Sequence, residues 1–322
     1  MTARVMRYKA VQAREYLRYI LFFLLLCLAG LAAYSALASF LPMVSTEGDL
    51  AYSLLLSRQS VEQSGVLLSR GSISESRYLC LTAFDRFFLD NGTARYMYLN
   101  ESNLVKGLGY SSVCLLTLTT AFPFLGPALG VFFGYLLFGK DIADGAIKNV
   151  FQGGLSRSEA FSGSLLSALL LPLSLLFLAF LYLFLSSIPL FGMSFLIQDG
   201  ERIVECPSYL AALLSFPLSG IGCLISASMV GACALAFRSP LLCCVLPFCA
   251  FVLPLALSFA IAKTPAFEFR SALAYSAMPF SGLMIGCSGG CYAPTYANAS
   301  VSLIFAILLL GGVKKAYGRA SF

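Results

Sequence analysis

The sequence predicts an all-α polytopic membrane protein with six transmembrane helices, both termini cytoplasmic, and a small extracytoplasmic subdomain after the first span. Three observations carry that prediction. Hydrophobic residues make up 59% of the 322, against about 45–50% in soluble domains, and mean hydropathy is +0.86. Several uninterrupted apolar runs reach the ~20 residues that a helix needs to cross a bilayer, and none shows the ~10-residue alternation of a transmembrane barrel strand. Charged residues, only 11% of the chain, gather between those runs, as expected if each costs about 2.5–3.5 kcal/mol at mid-bilayer.

Taken in order, residues 1–18 form a basic interfacial segment. Arg4, Arg7, Lys9, Arg14 and Arg18 are placed to meet anionic headgroups, and Val5, Tyr8, Val11 and Tyr16 to touch the bilayer. The first span, 19–42, contains the small-residue pattern Ala36-Leu37-Ala38 of a cleavage site. Its apolar run is longer than the ~7–15 residues of a signal peptide, so it reads as an uncleaved anchor. Residues 43–108 are too long for a plain connector and read as the extracytoplasmic subdomain. There Asp90-Asn91-Gly92 favours a hairpin, while Phe84, Phe87 and Phe88 fit a helical face equally well.

The second span covers 109–138 and leads into a cytoplasmic loop, 139–160. Residues 161–262 hold the third to fifth spans, at 161–189, 207–237 and 240–262. Segment 263–298 is apolar but broken by Pro265, Pro279, Pro294 and Gly289-Gly290. That pattern suits a re-entrant or outer-face element, whose backbone must be satisfied by protein or a water-filled cavity. The sixth span, 299–313, is followed by a cytoplasmic tail, 314–322.

Charge sets the orientation. Arg4, Arg7, Lys9, Arg14, Arg18, Lys140, Lys148, Arg157, Arg238, Lys314, Lys315 and Arg319 lie on one side with only Glu15, Asp141, Asp144 and Glu159. The other side has more acidic than basic residues, so the positive-inside rule places both ends and the 139–160 loop in the cytoplasm.

Several classes of function are excluded. There is no histidine, which removes Ser-His and Cys-His nucleophile activation and the helical zinc-protease motif. No Asp or Glu falls in a span core, so neither paired-aspartate chemistry nor an ion relay through the membrane is expected. The stretch from Gly134 to Asp141, "GYLLFGKD", approaches a P-loop in spacing. A P-loop, however, follows a strand and continues with Ser or Thr, whereas here a span precedes and Asp141 follows. Most of the cysteines fall inside spans as small apolar side chains. Cys287 and Cys291 are the candidate disulfide on the oxidising side, a pairing that spacing alone does not assign. Gly126, Gly130 and Gly134 recur every four residues and predict a helix-packing seam, within the bundle or between subunits.

The charged stretch "KDIADGAIKNVFQGGLSRSE", 140–159, holds Lys140, Asp141, Asp144, Lys148, Arg157 and Glu159 between two apolar runs. Ile142, Ile147, Val150 and Phe151 can line one side of a short helix. Gly153-Gly154 breaks that helix, and Ser156 with Glu159 three residues on forms a capping box into the third span. By spacing alone this reads first as a solvated connector carrying an interfacial helix.

The same residues resemble the stretch between the second and third spans of ATP-binding-cassette permeases of the type 2 exporter class. Bacterial members often show an acid, then Gly-Thr-Ile-Arg-Asn, a short apolar run, and Gly-x-Ser-Arg. Gly145, Ile147, Lys148, Asn149, Gly154, Ser156 and Arg157 match that pattern, with Asp141 or Asp144 as the acid, and Ala146 departs from the usual Thr. The match covers about twenty residues, and the six-span layout is similar to that of the family. The resemblance implies a multi-pass permease of the bacterial plasma membrane that is not itself an enzyme. Its 140–159 loop would be a coupling helix docking on a separately encoded ATPase, which would hold the ATP and Mg, so this chain needs no cofactor of its own. It further implies a second permease subunit, contacts with membrane lipids, no nucleic acid, and an amphipathic substrate for the uncharged pathway. An ATPase-independent receptor-like or immunity membrane protein, or an ATP-independent carrier, are the alternatives.

Overall fold

The computed structural model describes residues 9, 11, 14, 21, 25, 29, 50–93, 109–152, 154, 156–192, 194–199, 202–260 and 296–320. The 263–298 element lies outside them except for its last three residues. Cys287 and Cys291 fall there, as do most of 1–18 and of the first span.

The chain is a predominantly helical membrane protein. Three helical segments are long and apolar enough to cross a bilayer, Leu125–Ala143, Arg157–Leu190 and Ser208–Phe237. Their outward faces carry Leu170, Phe177, Leu178 and Leu213, all exposed, a display that water would not tolerate but hydrocarbon does.

The part that precedes these segments is a pair of helices, α1 (Leu50–Ser69) and α2 (Glu75–Asn91). Between the hairpin and the helix offered by 43–108, the helix prevails. Gly92 has φ +60 and ends α2 in the left-handed conformation that follows many helices, so Asn91-Gly92 is a stop signal and not a hairpin turn. The pair is joined by Ser60 donating to Asp85 at 2.7 Å, with Asp85 buried. Phe84 and Phe88, four residues apart on one face, pack on Leu196.

Leu196 belongs to an element that corrects the all-α expectation. Strands β1 (Ser194–Asp199) and β2 (Arg202–Pro207) pair antiparallel, with Leu196 opposite Glu205 and Asp199 opposite Arg202. The ribbon fills the connection between the third and fourth predicted spans. Leu196 and Cys206 are both buried, on opposite faces of the ribbon, and burial raises the Cys206 thiol above its ordinary range.

The second predicted span is one long helical path with two widened turns: α3 (Gly109–Leu116), a π-turn at Thr117–Ala121, α4 (Phe122–Gly134), a second π-turn at Tyr135–Gly139, and α5 (Lys140–Ala143). The first widened turn precedes Pro123, which has no N–H to offer the Thr119 carbonyl. After the short α6 (Ile147–Gln152) come α7 (Arg157–Ser187), which continues as a single 3-10 turn at Ile188–Leu190, then α8 (Ser208–Phe237), α9 (Pro240–Ala260) and α10 (Tyr296–Arg319).

The bundle is organised by a seam without side chains. A Cβ at Gly126 would overlap the Ser219 carbonyl, one at Gly130 would stand 2.5 Å from the Cys223 oxygen, and one at Gly134 would stand 2.8 Å from the Ala227 Cα. Both rows step by four residues in the same chain direction, so α4 and α8 run parallel, backbone against backbone. Ser219 Oγ adds an interhelical hydrogen bond to the Phe122 carbonyl at 3.2 Å. The seam therefore lies within the chain. It continues past the second π-turn, where a Cβ at Gly139 would meet Val230 at 2.8 Å and the Phe138 ring rests on Gly231. Gly139 is five residues beyond Gly134, and a turn with i to i+5 spacing keeps both on the α8 face.

Phe122 meets Phe180 at a tilt, and Phe138 in the second π-turn meets Phe161 edge-on, so α7 runs antiparallel along the second-span path. Ala306 packs on Ile225 and Tyr317 on Phe138, so α10 runs with α4 and α8. The ends bearing Lys140, Arg157, Arg238, Lys314, Lys315 and Arg319 are thereby gathered at one end of the bundle, opposite the β-ribbon.

Candidate functional site

The basic end is where the sequence concentrates its candidate residues. The chain leaves the second π-turn through α5, whose last residue is followed by Asp144 at φ −83. Gly145 then takes φ +70 and turns the chain, as only glycine does cheaply. Helix α6 follows, anchored by Ile147, which is 2% exposed in the cluster with Phe138, Ile142, Phe161 and Tyr317. Phe151 packs against the same cluster, while Asp144, Gly145 and Lys148 face outward. Asn149 lies in α6. Gly154, at φ +77, makes the second reversal.

The predicted capping box is present. Ser156 has extended backbone and accepts from the Glu159 N–H at 3.3 Å, while the Glu159 carboxylate accepts from the Ser156 N–H at 3.1 Å and its hydroxyl at 2.8 Å. Two otherwise orphaned donors at the start of α7 are satisfied reciprocally.

Two of the charged residues do something other than expected. Asp141 is buried and accepts from Lys9 Nζ, whose side chain is 1% exposed. Lys9 therefore does not meet headgroups as the 1–18 reading anticipated. It reaches the start of the 139–160 loop, and Asp141 is not part of the outward surface. Val11 and Arg14, next along the segment, are exposed. Arg157, which matches the Arg of the family pattern, donates from its guanidinium to the Gly318 carbonyl at 2.8 Å and lies over the Phe151 ring at 6.0 Å. It thus joins α7, α6 and the last turn of α10.

Tyr317 was not singled out in the sequence. It is buried between Phe138 and Phe161, with ring centroids 6.1 and 5.2 Å away. Burial first, and then the Asp141 carboxylate, raise its phenol well above the ordinary range, with Arg157 opposing. A lone Tyr in a basic tail gives no sequence signal for this role. Its only clue is that it lies on the face of α10 that carries Val313, four residues earlier.

The site divides into an inner and an outer layer. The inner layer is an ion pair and an aromatic cluster, and the outer layer is a short helix held between two positive-φ glycines with acid and base displayed. Among the described residues no cluster of His, Cys, Asp or Glu is arranged to hold a metal. No protein-family model, curated protein or solved structure matches this chain.

Proposed function

We propose that this chain is the membrane subunit of an ATP-driven exporter resembling the type 2 ATP-binding-cassette permeases. In this reading it has six spans with both termini in the cytoplasm, and two such subunits work with a separate cytoplasmic ATPase to move an amphipathic substrate. The observation that carries the reading is α6. It is pinned by Ile147 into the bundle core while Asp144 and Lys148 project from the basic end. A force applied to that outer face is transmitted through Ile147 to Phe138 and Phe161, on the two long helices flanking the loop. The gathering of basic helix ends supports a cytoplasmic location for this face, and the scarcity of charge along the long helices supports energy supplied from outside the membrane.

The test is co-purification of the full-length protein from its native host in mild detergent, with identification of bound chains and measurement of ATP hydrolysis. Lys148→Glu and Asp144→Lys alter exposed side chains and leave the core untouched. Each is expected to reduce recovery of a P-loop ATPase, and the associated hydrolysis, by tenfold or more without changing the unfolding temperature of the membrane subunit. A protein that carries no ATPase, or whose ATPase binding ignores both reversals, would overturn the reading. Function would then be sought in 43–108 as a receptor surface.

A further inference from the structure

Helix α1 has one side turned inward, with Ser57 buried and Ser60 bound to Asp85 of α2. The opposite side is exposed. Tyr52, Leu56, Gln59, Gln63 and Val66 lie along it, followed by Arg70 just beyond the helix end. These positions recur at alternating steps of four and three, the spacing of a coiled-coil seam, over about 27 Å of helix. Leu55 and Leu67, exposed as well, widen the stripe on either flank. The order of chemistry reads alike from both ends: a ring or a cation at each rim, an aliphatic side chain inside each rim, and two glutamines at the centre. The glycine seam of α4 and α8 is closed within the chain, so it offers nothing to a second copy.

We propose that α1 joins two copies of this chain as an antiparallel helix pair centred on Val61. Leu56 then packs on Val66 of the second copy, Gln59 meets Gln63 with each amide able to donate and accept, and Tyr52 lies against Arg70 as a cation–π pair. One patch faces itself, so the contact is isologous and closes at two copies. A parallel pair would instead set Arg70 on Arg70. Exposed Arg58 and Glu62 border one flank of the stripe, and the antiparallel register brings Glu62 of each copy beside Arg58 of the other. A bilayer surface would suit the apolar residues but bury two amides at the middle of the face without partners, which is why a second copy is favoured. Copies in one membrane are related by an axis along its normal, so this pairing lays α1 across that axis at the β-ribbon end of the bundle. The contact depends on no ATPase, and the exporter reading survives if two copies meet elsewhere.

The experiment uses the full-length protein in neutral detergent, with its mass followed by native mass spectrometry across a dilution series. A dimer is expected. Leu56→Glu and Val66→Lys change exposed side chains, and each should raise the dissociation constant about tenfold or more. The double variant sets opposite charges across the antiparallel seam and should recover most of that loss, whereas in a parallel pair it would set like charges together in both layers. Thiol crosslinking reads the register. Chains carrying Gln59→Cys and chains carrying Gln63→Cys, co-expressed with different tags, should link to each other more readily than to themselves. The proposal is overturned by a monomeric parent, by a dimer that ignores both charge substitutions, by a double variant no tighter than the single ones, or by Gln59→Cys linking chiefly to itself. It is overturned equally if, in vesicles holding one copy each, the thiol of Gln59→Cys is shielded from a water-soluble maleimide, which would make the bilayer the occupant. Recovery of an ATPase is read separately, so failure of this contact and failure of the exporter reading are distinguishable.

Discussion

Glycine serves opposite ends in the α4–α8 seam and in the loop that follows it. In the seam, Gly126, Gly130 and Gly134 have ordinary helical backbone and no space, since any Cβ would strike the facing helix. In the loop, Gly145 and Gly154 have open space around the missing Cβ but positive φ. The first set is selected by a neighbour, the second by the chain's own dihedral angles. The seam is therefore a rigid contact fixed by close approach, whereas the loop is a local conformation whose outer face stays open to a partner.

The largest expected effect concerns what ties the loop down. Asp141→Asn leaves the Lys9 ammonium buried without its counter-charge and should destabilise by about 3–5 kcal/mol. Adding Lys9→Met should recover more than half of that loss. Denaturant unfolding in mixed micelles measures both. A change under about 1 kcal/mol for the single variant would mean that packing alone anchors the loop. Next, Gly126→Ala forces the Ser219 carbonyl away and should cost about 3 kcal/mol, at the upper end of overpacking effects, in the same assay. Smaller again, Gly145→Ala should cost about 1–2 kcal/mol through left-handed strain alone. Gly145→Asn should cost less than Gly145→Ala, because Asn tolerates that conformation. If Asn and Ala behaved alike at position 145, space and not φ would be the constraint, and the contrast between the two sets of glycines would collapse.

Much of the bundle was legible because its signals are local or periodic. Apolar length gave the long helices, Ser156 and Glu159 gave the start of α7, and a spacing of four gave the seam face. The partner of that face was not legible, since a small-residue stripe does not say which helix it meets. The Lys9–Asp141 pair spans 132 positions, and nothing in one sequence couples residues so far apart. The β-ribbon was overlooked although it had a signal. Asp199 pairs with Arg202, leaving Gly200-Glu201 between the strands, and glycine at the first of two loop residues is a hairpin mark. Asn91-Gly92 shows the converse, a dipeptide that serves hairpin turns and helix ends alike, decided here by Phe84 and Phe88 finding Leu196 on a distant segment.

The π-turn at Tyr135–Gly139 holds one more residue than an α-turn would. Redrawn as regular α-helix, the path would swing Lys140–Ala143 by about 100°, one residue's share of a 3.6-residue turn. Asp141 would then face away from Lys9, and Ile147 would leave its aromatic socket. That single surplus residue acts as the index pin of a dial: it sets the angle at which everything beyond the bundle's edge is presented, and the clasp between the first segment of the chain and the loop closes at that setting alone.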